Sequence, residues 1–317
     1  MRAIQVTRHG GPEALEAAEV DAPVPAEGQL LVAVTAAGVN FADLSRIAGT
    51  YSPAVELPFV PGSEVVGHTA DGRRVVGLSF GGGGFAEQAL VPADSAVEVP
   101  DGVSDEQALA LLVQGLTAWH LLRGSARLRD GESVAVNAAA GGVGSLAVQL
   151  AREFGAGRVI AAASTSDKRR LTLDLGADAS VDSDPTGYAD RIRQANGAQG
   201  VDVVLDANGG AAITAGLDAL AQFGRLVSYG DAAHQGRPSI DPAALAERNL
   251  SVSGFWLRPA LSLPLGYREP LVELLGLTAQ GRLRPLTGSR YPLVEAGRAF
   301  ADLTARRTTG KVVLLVA

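Results

Sequence analysis

The run Asn137-Ala138-Ala139-Ala140-Gly141-Gly142-Val143-Gly144 constrains this chain more than any other stretch. It follows a short apolar strand at 133–136. It precedes a segment in which Val143, Ala147, Leu150 and Phe154 recur at helical spacing. A glycine-rich turn between a strand and a helix lets backbone N–H groups approach a pyrophosphate, and the helix N-terminus adds partial positive charge. Under the strict G-x-G-x-x-G pattern Gly141 and Gly144 fit the second and third glycines, while Ala139 holds the first position. The strand before, the helix after and a second strand ending near Ala163 make this a dinucleotide signal rather than an isolated tight turn.

The rest of the chain fits a two-domain protein built around that unit. Its 317 residues exceed one typical domain, and 47% hydrophobic residues are ample for buried cores. A formal charge of −7 argues against a nucleic-acid surface. There are no cysteines, which excludes disulfides, thiolate nucleophiles and Cys-ligated zinc, and is consistent with a reducing cytoplasm. After Arg2 the sequence Ala3-Ile4-Gln5-Val6-Thr7-Arg8 lacks the apolar run of a secretory signal. No apolar stretch approaches the roughly 20 residues of a membrane span. The expected location is therefore the cytoplasm, with no membrane and no nucleic acid as partner.

Residues 1 to about 110 read as β-rich, with short runs at 30–35, 65–68, 74–78 and 86–91 separated by Gly, Pro and Asp. From about 115 the rhythm changes to strand, helix, strand. Candidate strands lie at 133–137, 158–163, 179–182, 201–206 and 225–229, with a further one at 250–255. Such alternation predicts a parallel sheet covered on both faces. A helix is expected near 295–304 and a buried strand at 311–316, whose need for a partner sheet returns the tail to the first domain.

An NAD site usually places an acid about 20 residues after the glycine turn, on the ribose hydroxyls. Here that region reads Ser164-Thr165-Ser166-Asp167-Lys168-Arg169. Hydroxyls that donate, followed by Lys168 or Arg169 to neutralise charge, suit a 2′-phosphate, so NADPH is the expected cofactor. Asp167 is read as an ordinary acid of a helix first turn. Asn208-Gly209 and Tyr229-Gly230 follow later strands, where open α/β sheets line their ligand crevice. Asn208-Gly209 also satisfies plain turn chemistry.

Several ordered motifs resemble medium-chain dehydrogenases/reductases. They are Gly38-Val39-Asn40-Phe41-Ala42-Asp43, then Leu57-Pro58-Phe59-Val60-Pro61-Gly62-Ser63-Glu64, then Val113-Gln114-Gly115-Leu116-Thr117-Ala118, then the glycine turn, and finally Gly310-Lys311-Val312-Val313-Leu314. The chain is most similar to the zinc-free quinone oxidoreductases related to zeta-crystallin. The resemblance implies a GroES-like β-rich catalytic domain from residues 1–112 and 257–317, and a Rossmann doubly wound parallel-sheet NADPH domain over 113–256. The active site is expected in the cleft between them, and a homodimer is implied.

It further implies NADPH binding by Ala140, Gly141, Gly142, Val143 and Gly144, by Ser164, Thr165 and Lys168, and by Gln114 and Thr117 from the domain junction. Asn40 is implied to lie near the nicotinamide. In zinc-dependent relatives Cys and His ligands stand where this chain has Asn40 and Ser63; Glu64 remains, and no metal is expected. One departure concerns the third strand. Relatives often follow it with a tyrosine against the adenosine phosphate, and here Val181-Asp182-Ser183-Asp184 offers an acid cluster instead.

Quinones are electron-poor and accept hydride without a Lewis acid, so the product oxyanion needs only hydrogen-bond donors, for which Asn40 and Tyr51 are the candidates. The expected activity is NADPH-dependent, zinc-independent reduction of a quinone or similar conjugated carbonyl. An alternative is reduction of 2-enoyl thioesters or other activated alkenes, in which Tyr51 would serve the developing enolate. Ser253-Gly254-Phe255-Trp256-Leu257 is also similar to such reductases. A third reading is a non-catalytic NADPH-binding protein.

Overall fold

The computed structural model describes residues 1–51, 55–79, 81–264 and 266–316. Residues 52–54, directly after Tyr51, lie outside the described ones. The chain divides into two compact units, one of residues 1–113 with 264–317 and one of residues 114–263. The short helix Leu257–Leu261 packs on the helix Leu116–His120, which keeps 257–263 with the second unit.

The first unit is β-rich. Its main sheet runs Thr287–Pro292, Lys311–Leu315, Gln29–Val39, Glu64–Thr69, Arg74–Leu78, Val97–Glu98, and Gln88–Pro92 pairs with Gln29–Val39. The tail strand Lys311–Leu315 lies antiparallel to Gln29–Val39, with Val312 opposite Val39. The tail thus returns to the first domain, because five consecutive residues dominated by Val and Leu need a sheet to satisfy both their side chains and their backbone. Ile4, Val6, Val32, Val65, Phe85, Phe300 and Leu314 form the core. The helix Ala296–Thr304 buries Ala296, Ala299, Phe300 and Leu303, one apolar stripe at helical spacing. Some features escape a reading of local pattern. Among them are the N-terminal hairpin Arg2–Val6 with Leu15–Glu19 and the short helix Phe41–Ile47.

The second unit is a six-stranded, all-parallel sheet in the order Ala179–Asp182, Arg158–Ala163, Ser133–Val136, Val201–Asp206, Leu220–Ser228, Ser251–Gly254. The chain leaves Ser133–Val136 toward one edge and then resumes on its other side at Val201–Asp206. That reversal creates a crevice at the carboxyl ends of these two strands, the usual ligand position in such sheets. The strand expected at 225–229 begins at Leu220 instead. Its first part is disguised by an irregular register against Val201–Val203 and by Phe223, which adopts a left-handed φ of 61°. Among the described residues no helix is long and apolar enough to cross a membrane.

Candidate active site

In the second unit the glycine turn sits at the crevice. Ala138 takes a left-handed φ of 51°, and its carbonyl accepts a hydrogen bond from the Gly141 N–H at 2.9 Å. The tight corner thus falls at Ala138 rather than at Ala139, where the glycine pattern would put it. Helix Gly142–Glu153 starts directly behind Gly141, with no side chain capping it. Its first N–H groups have no intrahelical partner and are directed out of the helix start. At Gly144 a Cβ would press on the backbone of Ala138 and Ala139, so only glycine lets helix and turn approach this closely. Ala140 is buried, whereas Gly141 is exposed and Gly142 and Val143 are half-buried.

A buried network fixes the two strand ends that flank the crevice. The Tyr188 hydroxyl donates to Asn137 Oδ1 at 2.6 Å, and Asn137 Nδ2 donates to Asp206 Oδ1 at 2.9 Å. Asp206 Oδ2 accepts from the Gly209 N–H at 2.9 Å, which shapes the Asn208-Gly209 turn. Asp206 is fully buried, and that burial raises its carboxyl pKa above the ordinary range. None of these three roles is legible in the sequence; the signal there is a polar pair, Asn137 and Asp206, at the ends of the apolar runs Val134-Ala135-Val136 and Val203-Val204-Leu205.

Among the described residues, four buried polar atoms of this unit lack a hydrogen-bond partner: Gln114 Oε1, Ser228 Oγ, Tyr229 Oη and Asp231 Oδ1. Buried polar groups are normally satisfied. Ser228 ends a strand, Tyr229 and Asp231 follow it, and the Gln114 carboxamide lies where a Gly142 Cβ would sit. Gly230 packs against the backbone of Ala207, holding that turn beside the Asn208 turn. Thr117 is buried on the helix Leu116–His120. Free amides, a close-approach glycine and unsatisfied polar atoms at one end of a parallel sheet fit a dinucleotide.

At the end of strand Arg158–Ala163, Thr165 caps helix Ser166–Asp174 by accepting from the Lys168 N–H at 3.3 Å. Asp167 lies in the first turn of that helix. Ser164 and Thr165 are exposed and Lys168 is half-buried. Arg169, the other cation considered for a phosphate, is already engaged. It pairs with Asp182 at 3.0 Å and donates to the carbonyls of Ala163 and Ser164 at 3.0 and 3.2 Å. The acid cluster after the third strand is thereby explained: Asp182 holds Arg169, while Arg191 braces the carbonyls of Asp182, Asp184 and Thr186.

Phe255 stacks on His120 with ring centroids 6.2 Å apart, and His120 in turn meets Trp119 edge-on. Trp256 is half exposed.

In the first unit the sequence motifs at residues 38–43 and 57–64 and the tail strand converge. Asn40 Nδ2 donates to Glu64 Oε2 at 2.8 Å, and Lys311 Nζ donates to Asn40 Oδ1 at 3.0 Å and to Glu64 Oε2. Glu64 Oε1 accepts from the Val113 N–H at 2.6 Å. Glu64 and Lys311 are fully buried, and Asn40 is 7% exposed. Glu64 is committed to these three donors, and Asn40 offers an amide where a zinc site would want a thiolate, imidazole or carboxylate. Among the described residues no three His, Cys, Asp or Glu side chains gather as a metal site. Lys311 is legible in the sequence only as one cation in an apolar strand.

Tyr51 follows the helix Phe41–Ile47 that Asn40 opens. Its backbone N–H donates to the Ser45 carbonyl at 3.1 Å, and the Arg46 guanidinium stands over its ring at 4.9 Å.

Asp43, also fully buried, accepts from the Asn40 N–H at 3.0 Å. Burial pushes its pKa up to about 6, against the lowering effect of that hydrogen bond and of Arg46. The folded state therefore holds this proton more tightly than the unfolded chain, so stability falls as pH rises from about 4 through about 6. Asp43→Asn keeps the acceptor and removes the charge. Its unfolding free energy should gain on the parent by up to about 3 kcal/mol as pH rises through that window, with little further change above pH 7. Denaturant titrations between pH 4.5 and 8 test this, and an advantage that shrinks with rising pH would contradict it.

The sequence pattern of the alcohol dehydrogenase GroES-like domain matches residues 26–101, and that of the zinc-binding dehydrogenases matches residues 142–274. A segment of a phenolphthiocerol/phthiocerol polyketide synthase from Mycobacterium tuberculosis is 35% identical over 99% of this chain; the chain spans only 15% of that protein's length. The quinone oxidoreductase of Lama guanicoe is 34% identical, with 100% of this chain and 98% of that protein covered. The structure of the quinone oxidoreductase from Thermus thermophilus, solved also in complex with NADPH, superposes with a TM-score of 0.86 at 39% identity, covering 100% of both chains. Two GroES-like and dehydrogenase patterns in order, and full-length similarity in sequence and fold, mean that this chain belongs to the quinone oxidoreductases of the medium-chain dehydrogenase/reductase superfamily.

Proposed function

We propose that this protein is an NADPH-dependent, zinc-independent quinone oxidoreductase that reduces a quinone or a similar conjugated carbonyl. The observation that carries the cofactor choice is Lys168. It stands half-buried in the first turn of the helix that Thr165 caps, while its neighbour Arg169 is paired with Asp182. When bound, reduced nicotinamide supplies a hydride. The N–H groups of Gly142, Val143 and Gly144, with Ala140 and Gly141 shaping the turn, would hold the pyrophosphate. Ser164, Thr165 and Lys168 would take the 2′-phosphate. Gln114, Thr117, Asn208, Tyr229 and Gly230 would orient the remainder, Gln114 and Tyr229 through polar atoms that otherwise lack a partner. Asn40 and Tyr51 would donate hydrogen bonds to the oxygen that gains negative charge, and water would supply the proton. In this reading residues 1–113 with 264–317 are the catalytic domain and 114–263 the cofactor domain. A cytoplasmic homodimer is the accompanying expectation, and the sheet edge Ser251–Gly254 is the surface that favours it.

The cofactor assignment is tested by titrating pure protein with NADPH and NADH. NADPH should bind more tightly, and Lys168→Ala should weaken NADPH by about tenfold while leaving NADH unchanged. Equal affinities in the parent would overturn the assignment.

The similarity to part of a polyketide synthase favours one second reading, reduction of an activated alkene in a thioester. Turnover of a small quinone and of an enoyl-CoA separates the two. The first reading expects the quinone to dominate. Strong thioester turnover that is lost in Tyr51→Phe would replace it with the second.

A further inference from the structure

We infer that Glu64 and Lys311 are positioning residues for Asn40, setting which way its amide points and so which hydrogen it offers to the substrate oxygen. The inference rests on the reading of Asn40 as a donor given above.

An asparagine amide has two nearly isosteric orientations, and its surroundings decide between them. Here the Nδ2 end faces the Glu64 carboxylate at 2.8 Å and the Oδ1 end faces the Lys311 ammonium at 3.0 Å. A flipped amide would set N–H against ammonium and oxygen against carboxylate, two repulsions in a buried setting where both are strong. One Nδ2 hydrogen is consumed by Glu64, so the second is the only amide hydrogen left to give, and its direction is fixed by the pair.

The sheet explains how two residues so far apart in sequence meet. Gly38 lies opposite Glu64 on one neighbouring strand and opposite Val313 on the other, two residues beyond Lys311. A Cβ on Gly38 would occupy the space now held by the Glu64 carboxylate and the end of the Lys311 side chain. The two side chains thus reach over the central strand through the gap a glycine leaves. Lys311 is braced further by the Val39 carbonyl at 3.4 Å, and Glu64 by the Val113 N–H. Each ion is satisfied by partners that hold it beside Asn40. Neither ion is exposed, so neither touches substrate.

A purely structural role for the pair predicts a different result from a positioning role, and a mutant cycle separates them. Four proteins are compared: the parent, Asn40→Ala, the near-isosteric neutral pair Glu64→Gln with Lys311→Met, and the triple variant. Each is measured for kcat and KM with a small quinone, for NADPH affinity by fluorescence and for melting temperature. The neutral pair should keep NADPH affinity within about threefold yet lose at least about tenfold in kcat, and adding Asn40→Ala should cost less than about twofold more. Losses that multiply would overturn the inference and leave the donor role of Asn40 standing. Unchanged turnover in Asn40→Ala alone would overturn the donor role and the inference with it. Gly38→Ala, which displaces the pair without removing a charge, gives a second cycle with Asn40→Ala should the neutral pair fail to fold, and the same non-additivity is expected of it.

Discussion

Gly144→Val is expected to weaken NADPH binding by at least about 100-fold, a loss of roughly 3 kcal/mol. A Cβ at this position would stand 2.7 Å from Ala139 Cα and 2.9 Å from the Ala138 carbonyl carbon, and closer still to the Ala138 oxygen. All three are backbone atoms, so no rotamer change relieves the clash. Ala138 is already held at a left-handed φ of 51°, so the corner has little latitude to yield. The helix must instead shift away from the turn, which moves the N–H groups of Gly142 and Val143 off a pyrophosphate that needs them within hydrogen-bond distance. Fluorescence titration with NADPH measures the loss. A dissociation constant like that of the parent would show that this turn does not hold the cofactor.

The second large effect concerns stability. Lys311→Met alone should cost about 3–5 kcal/mol, because it strands the Glu64 carboxylate in a site from which water is excluded. Pairing it with Glu64→Gln removes the stranded charge and should recover most of that loss, since a buried ion pair and a well-packed neutral pair differ far less than a pair and a lone ion. Chemical denaturation of the single and paired variants checks this. Equal destabilisation of both would mean that packing of the lysine stem, not compensation of charge, holds the site together. The contrast with the cycle above is direct: stability should return in the neutral pair while turnover does not.

The legible and illegible parts of this molecule divide along a physical line. Strand 133–136, the glycine turn and the helix behind it are contiguous, so their periodicity and composition are carried by residues 133–153 alone, and propensity and pattern act at that range. The strands Arg158–Ala163, Ala179–Asp182 and Val201–Asp206 stand where their apolar runs put them. Strand Leu220–Ser228 starts earlier than its apolar run because pairing with Val201 outweighs the turn-like Gln222-Phe223-Gly224. Lys168 and Arg169 look interchangeable as phosphate partners in sequence. Only the fold brings Asp182 against Arg169, 13 residues on, and leaves Lys168 without an ion pair among the described residues.

The same division applies to the two halves of the candidate site. The turn proposed to hold the cofactor is legible locally, because a turn that can cradle phosphate is built from backbone N–H groups of consecutive residues and needs glycine where the chain closes on itself. The setting of Asn40 comes from residues far apart in the chain. Its orientation depends on Glu64 and on Lys311, 271 residues away, and these meet through the register of three adjacent strands over a missing side chain at Gly38. Alternation of buried side chains can set the register of one strand pair, but which strands become neighbours is a long-range matter, and that is what brings residues 38, 64 and 311 together.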